Sequence, residues 1–237
     1  RTLPTLQDLG SQATSIGDLK RVVIDDLLGR DPVSLEWESI RQGLVGKRVM
    51  ITGGGGSIGS ELCRQIARLN PVELIVVDHS EYSLYKIDHE LHSEHHDLLF
   101  HSVLGDICDP ATVEKVIGDF KPDVVFHAAA WVGSGGRPQA IAEVNVEGTR
   151  RMVEQAIEAR VERFVLVSTE SVLLDGRPLD GVDETVPVPT RGHLSPYAAS
   201  KAEAERIVLG AELDGLAVRP RLVWGPGDTT WLPGLMA

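Results

Sequence analysis

Cysteine is nearly missing from this chain: Cys63 and Cys108 are the two present among 237 residues. They cannot form a disulfide framework, and neither sits in a CxxC or Cys/His spacing suited to a metal. A reducing, cytoplasmic setting is the expectation that follows. Basic residues are also short, 23 against 35 acidic ones for a net charge of -12. That balance argues against a nucleic-acid backbone or an anionic membrane as a partner surface, so any phosphate must be gripped locally. Long apolar runs are lacking too. The longest candidates, around Leu74 to Val77 and Val124 to Val132, are strand-sized, well short of the roughly 18 residues that a membrane helix needs. Arg1 brings neither an initiator Met nor a charged-then-apolar signal pattern, so the chain is expected to be a piece of something longer.

What is present is enough for one full core, with 42% hydrophobic residues. From Lys47 onward, short β-branched runs alternate with segments of helical period. The runs are Arg48 to Thr52, Glu73 to Asp78, Leu98 to Val103, Val124 to His127, Phe164 to Ser168 and Leu216 to Arg219. Between them lie Ser57 to Leu69, Ser83 to His95, Asp109 to Phe120, Ile141 to Arg160 and Tyr197 to Leu213, each long enough for a crossover helix. Strands that are apolar throughout are covered on both faces. The expectation is an α/β fold, a doubly wound parallel sheet with helices on both faces. Residues 1 to 46 read as an N-terminal helical extension, with candidate helices at Asp18 to Leu28 and Leu35 to Leu44.

The first run ends in Thr52-Gly53-Gly54-Gly55-Gly56-Ser57-Ile58-Gly59, which puts Gly53, Gly56 and Gly59 in a GxxGxxG spacing just before a helix. The first glycine permits a tight turn, the second a close backbone approach to a pyrophosphate, and the third close helix-to-strand packing. The helix start at Ser57 and Ile58 adds N–H donors and partial positive charge. Asp78 follows 19 residues after Gly59 at the end of the second run, near the offset of about 20 at which an acid meets the adenosine ribose. A carboxylate there accepts ribose hydroxyls and repels a 2′-phosphate, which favours NAD over NADP; an N-cap or solvated loop acid is the alternative. Asp106, with Ile107 beside it, is a candidate for the adenine amino group or simply a helix-start residue. Ala128, Ala129 and Ala130 are small enough for backbone to run along a cofactor, and His127 before them reads as a strand-end packing residue.

Tyr197-Ala198-Ala199-Ser200-Lys201 sets a phenol and an ammonium four apart on one helical face. A nearby cation favours the phenolate, so Lys201 together with a nicotinamide ring is expected to bring Tyr197 towards use as a general base. YxxxK recurs by chance. Its weight here comes from Ser168-Thr169 at the carboxyl end of a run, the edge where doubly wound sheets bind ligands. Thr169 is expected to hold a substrate oxygen, with Glu170 as a candidate acid. Asn145 could hold a carbonyl or water near Lys201, or be an ordinary polar helix residue. His89, His92 and His96 share a helical face, but no acid or thiol completes a shell, so no metal is expected.

Taken together, these motifs resemble the extended short-chain dehydrogenase/reductase superfamily over residues 47 to 237, which implies a Rossmann-like NAD-binding domain with that span. The earlier part resembles the capsule-type nucleotide-sugar 4,6-dehydratases of bacterial polysaccharide biosynthesis. That likeness rests on Arg1-Thr2-Leu3-Pro4, Asp26 to Val33, the Gly53 to Arg64 loop and helix, and Asp78 to Tyr85. In that family the stretch before Gly46 follows a membrane-anchored region, which implies a tether upstream of residue 1. After Ala130 the chain departs from the dehydratases at Trp131 to Gly136. It is then more similar to nucleotide-sugar epimerases and 3β-hydroxysteroid-dehydrogenase-like reductases in Asn145 to Thr149, Ser168 to Val172, Tyr197 to Glu205 and Arg219 to Asp228. A natural recombinant, an engineered splice or an intermediate lineage would each produce this change.

The resemblance carries chemical expectations. Dehydratases carry Thr-Asp-Glu or Thr-Asp-Lys where this chain has Thr169-Glu170-Ser171. Ser171 is a poor base, so oxidation or epimerisation is favoured over loss of water. Related enzymes continue past Trp224 to Asp228 into a substrate lobe, which this chain is expected to lack for the most part. The reading is an NAD-dependent enzyme acting on a nucleotide-diphosphate sugar, in which Lys201 also anchors the ribose; homodimers through Ile141 to Arg160 and Tyr197 to Leu213 are a family expectation. A hydrophobic-alcohol dehydrogenase with the same residues, or a nucleotide-binding module without catalysis, are the alternatives.

Overall fold

The structure is a computed structural model that describes residues 36–132, 137–221 and 223. Six strands carry the fold: β1 Arg48–Thr52, β2 Glu73–Asp78, β3 Phe100–Leu104, β4 Val124–His127, β5 Arg163–Val167 and β6 Gly215–Val218. All pairings are parallel, in the order β3-β2-β1-β4-β5-β6. The chain therefore builds outward from β1 to β3 and returns to lay β4 on the other side of β1. That reversal opens a crevice at the carboxyl ends of β1 and β4, where open α/β sheets take their ligands.

The helices are α1 Trp37–Gln42, α2 Ser57–Ala67, α3 Glu81–Glu94, α4 Pro110–Phe120, α5 Pro138–Ala142, α6 Thr149–Glu158 and α7 Pro196–Leu209. The expected doubly wound arrangement is present. Because successive strand residues point to opposite faces, Val49, Ile51, Leu74 and Val76 are buried with Cys63 and Ile66 of α2 and Ile87 and Leu91 of α3. Met50, Ile75, Val77, Val125 and Phe164 are buried on the other face with Ile117 of α4, Met152 of α6 and Val208 of α7. Helix starts follow local chemistry. The Asp109 side chain accepts from the Ala111 amide with Pro110 at the first position of α4, and the Ser195 side chain accepts from the Ala198 amide with Pro196 opening α7.

Three differences from expectation have physical causes. Helix α3 begins at Glu81, two residues before the expected start, because the Ser80 hydroxyl caps it by accepting from the Ser83 amide. It ends at Glu94, so His96 lies beyond the helix face shared by His89 and His92. The expected single helix over Ile141 to Arg160 is interrupted by a π-helical segment, Glu143–Gly148, between α5 and α6. The candidate helix at Asp18 to Leu28 and the Trp224 to Asp228 loop lie outside the described residues. Trp37–Arg221 forms one compact unit, so α1 joins a body expected to begin at Lys47. No helix among the described residues is long and apolar enough to cross a membrane.

Candidate active site

The glycine turn leaves β1 at Gly53, which has φ +67, a conformation that glycine adopts without strain. A Cβ there would lie 2.6 Å from the Ala129 backbone, so the turn packs directly against the segment leaving β4. A Cβ on Gly55 would meet Ser83 of α3 at 2.6 Å, and one on Gly59 would run into the Gly53 carbonyl. These spaces are cradles in which backbone lies against backbone. Ser57 and Ile58 are exposed in the first turn of α2, where amides have no acceptor within the helix. Such a turn fits a pyrophosphate.

Asp78 is buried at the tip of β2, beside this turn. Its Oδ2 accepts from the Gly55 amide at 2.9 Å and its Oδ1 from the Ser80 amide at 2.8 Å. The carboxylate ties the glycine turn to the start of α3 and keeps a further lone pair on each oxygen for a hydroxyl donor. Asp106 and Ile107 part company: the exposed Asp106 accepts from the Cys108 amide at 2.9 Å, whereas Ile107 is buried in the core under Gly148. Ala128, Ala129 and Ala130 are half-buried along the rim.

A buried hydrogen-bond chain fixes that rim. His127 is fully buried, and burial, with Lys201 nearby, lowers its pKa to about 3, so the ring is neutral. The Thr149 hydroxyl donates to the Asn145 carbonyl at 2.7 Å and so accepts from His127 Nε2 at 3.0 Å. That leaves Nδ1 to accept from Thr52 Oγ1 at 2.7 Å. Thr52 Oγ1 in turn accepts from the Ala129 amide at 3.4 Å.

Asn145 sits in the π segment and is buried. Its Oδ1 accepts from the Trp131 amide at 2.7 Å; its Nδ2 donates to the Trp131 carbonyl at 3.1 Å and to Ser200 Oγ at 2.9 Å. Ser200 donates onward to the Tyr197 carbonyl at 2.7 Å. The side chain thus joins the segment after β4 to α7, the helix that carries Tyr197 and Lys201. The glycine turn, the 128–130 segment and the first turn of α7 share one rim of the sheet.

Lys201 is buried on α7, and burial pulls its ammonium down to about 8 while Glu205 acts in the opposite direction. Tyr197 is half-buried, and burial pushes its phenol up. In the protein by itself burial alone sets this direction, because a desolvated phenolate is disfavoured. Thr169, at the end of β5, caps a short 3-10 turn, Glu170–Leu173: its Oγ1 accepts from the Ser171 amide at 3.3 Å and shares a hydrogen bond with Ser171 Oγ at 2.7 Å. The Glu170 carboxylate lies 3.3 Å from Arg221 Nε. No group of three or more His, Cys, Asp or Glu side chains suited to a metal occurs among the described residues.

Sequence reasoning gave no role to Ser200, Glu205 or Arg219. Glu205 is buried, accepting from Ser168 Oγ at 2.5 Å and from Arg219 Nη2 at 2.8 Å. Its spacing of four from Lys201 was the one signal available, and it says nothing of the partners on β5 and beyond β6.

A parallel sheet of this order, with a glycine-rich turn after β1, an acid at the tip of β2 and YxxxK on a helix at the same rim, defines a Rossmann-type NAD-binding body of the extended short-chain dehydrogenase/reductase superfamily. Residues 49–174 match the family model described as polysaccharide biosynthesis protein. The capsular polysaccharide biosynthesis protein CapD of Staphylococcus aureus is 36% identical over 175 residues, covering 72% of this chain and 29% of that protein. The decarboxylating sterol-4-alpha-carboxylate 3-dehydrogenase of Schizosaccharomyces pombe is 33% identical over 187 residues, covering 78% and 52%. Among solved structures, the Bordetella bronchiseptica enzyme WbmH in complex with NAD+ superposes with a TM-score of 0.64 at 27% identity, covering 78% of this chain and 58% of that one. This chain belongs to the polysaccharide biosynthesis protein family, and it spans between about a third and somewhat more than half of the proteins it matches.

Proposed function

We propose that this chain is the cofactor-binding part of an NAD-dependent enzyme that oxidises a hydroxyl of a nucleotide-diphosphate sugar, with Tyr197 as the base. The supporting observation is the single rim on which Asn145 joins Trp131, just after the 128–130 segment, to the Tyr197–Lys201 helix, with a glycine turn shaped for a diphosphate packed against Ala129. In this reading the amides of Gly53 to Gly59 hold the pyrophosphate, Asp78 the adenosine ribose, and the exposed Asp106 borders the adenine, while the Ile107 side chain packs in the core instead. Bound NAD supplies the hydride acceptor. Tyr197 takes the proton from the substrate hydroxyl, Thr169 holds the same oxygen, and Lys201 faces the second ribose and favours the phenolate. The raised Tyr197 phenol implies that the base becomes competent in the loaded site, where further positive charge is at hand.

Oxidation and epimerisation fit the site better than elimination of water. The Glu170 carboxylate is engaged by Arg221 and the Ser171 hydroxyl by Thr169, so the positions flanking Thr169 do not present a ready acid and base pair. A second reading, a dehydrogenase of sterols or other hydrophobic alcohols, draws on the likeness to the fission-yeast enzyme. Incubation with NAD separates the two: a UDP-sugar converted to its epimer with no net NADH supports the first, and NADH accumulating only with a sterol supports the second. Tyr197→Phe is expected to abolish turnover while leaving NAD binding within about threefold; equal activity in the two proteins sinks the catalytic reading. Asp78→Ala is expected to weaken NAD more than NADP, and an unchanged ratio of the two dissociation constants removes Asp78 from the ribose. We further propose a homodimer through the exposed faces of α6 and α7, to be read by native mass spectrometry.

A further inference from the structure

We propose that Glu205 is a positioning residue for Lys201: clamped by Ser168 and Arg219, its carboxylate is the buried counter-charge for the lysine on the helix face it shares with Tyr197. Tyr197, Lys201 and Glu205 recur at intervals of four along α7 and so lie along one side of it. Lys201 and Glu205 are each 1% exposed. A buried ammonium without a compensating charge is strongly disfavoured. Glu205 is the group whose charge acts to keep Lys201 protonated, against the burial that pulls it down.

The carboxylate is itself firmly held. Its Oε1 accepts from Ser168 Oγ at 2.5 Å and from Arg219 Nε at 3.0 Å, and its Oε2 accepts from Arg219 Nη2 at 2.8 Å. The paired contact with a guanidinium fixes orientation as well as charge. Ser168 immediately precedes Thr169, so the same carboxylate ties the substrate-oxygen edge of β5 to the helix that bears the base. Other titratable groups around the pair come from several elements. His127 of β4 is neutral through burial and feels Lys201; Glu184 acts on Arg219; Glu170, after β5, pairs with Arg221. Of these anions Glu205 is the one whose charge acts on Lys201, from four residues along the same helix.

The proposal deepens the function proposed above, but its test needs no substrate. The chain has six lysines, so the Lys201 side-chain resonance can be assigned by difference from Lys201→Arg and followed by NMR against pH in the full chain. Glu205→Gln keeps an acceptor for Arg219 and a polar partner for Ser168 while removing the charge. The Lys201 inflection, near about 8 in the native protein, is expected to fall by about one pH unit or more in Glu205→Gln; an inflection that stays or rises overturns the proposal. Should that variant not fold, Arg219→Gln gives the opposite test. Removing the competing guanidinium leaves Glu205 to Lys201 and raises the inflection, and an unmoved or lowered value overturns the proposal. An unmoved inflection leaves the Tyr197 chemistry standing, whereas a fully active Tyr197→Phe removes that chemistry without touching the titration.

Discussion

At Gly59 one added methyl group would land on the Gly53 carbonyl oxygen and lie 2.7 Å from the carbonyl carbon. Both are backbone atoms that cannot rotate aside, so α2 would have to withdraw from the turn that presents its first amides. Gly59→Ala is therefore expected to weaken NAD binding by at least about tenfold in calorimetric titration, because the pyrophosphate cradle depends on that close approach. Unaltered affinity would show that the turn does not carry the diphosphate. The turn at Gly53, the close packing at Gly59 and the strand-end position of Asp78 were legible from spacing alone, since each belongs to a local strand-turn-helix unit. The roles of Ser200 and Glu205 were not, because their partners, Asn145, Ser168 and Arg219, are remote in sequence. The burial that pushes the Tyr197 phenol up was not legible either, since charge neighbours can be guessed from a helical wheel and desolvation cannot.

At the scale of the element, the inner strands β1, β2, β4 and β5 were readable to within one residue because runs largely buried on both faces have little freedom in composition, and the partly exposed β3 and β6 to within two. The Glu143–Gly148 π segment was not. One widened turn changes the helical phase by too little to show in a hydrophobic period. Its consequence is nonetheless structural, since Asn145 lies within it and spans from Trp131 to Ser200. Asn145→Ala would leave both Trp131 backbone groups without this partner and loosen the segment after β4 from α7. A loss of about 2 kcal/mol or more is expected in urea unfolding, with faster hydrogen exchange at the Trp131 amide. Unchanged exchange at Trp131 would mean that the tie is not what holds the rim together.

Across the whole molecule, the rim is held by a chain of bonds that runs from the Ala129 amide through Thr52, His127 and Thr149 to the Asn145 carbonyl. That chain requires a neutral imidazole, because Nδ1 must accept while Nε2 donates. The folded His127 has its pKa lowered to about 3 from 6.5. Between those values the unfolded chain binds a proton that the folded protein refuses, so stability is complete above about pH 6.5 and is lost progressively as the pH falls. One such proton is worth up to about 1.4 kcal/mol for each pH unit. Replacing His127 by Asn removes the titrating group, although it lowers stability at every pH by breaking the chain. The urea-unfolding free energy of the native protein is therefore expected to fall more steeply than that of His127→Asn between about pH 6 and 4, by close to one proton's slope. Parallel slopes in the two proteins would show that His127 carries its proton in the folded state, and Nδ1 would then have to donate to Thr52 Oγ1 while Nε2 still donates to Thr149.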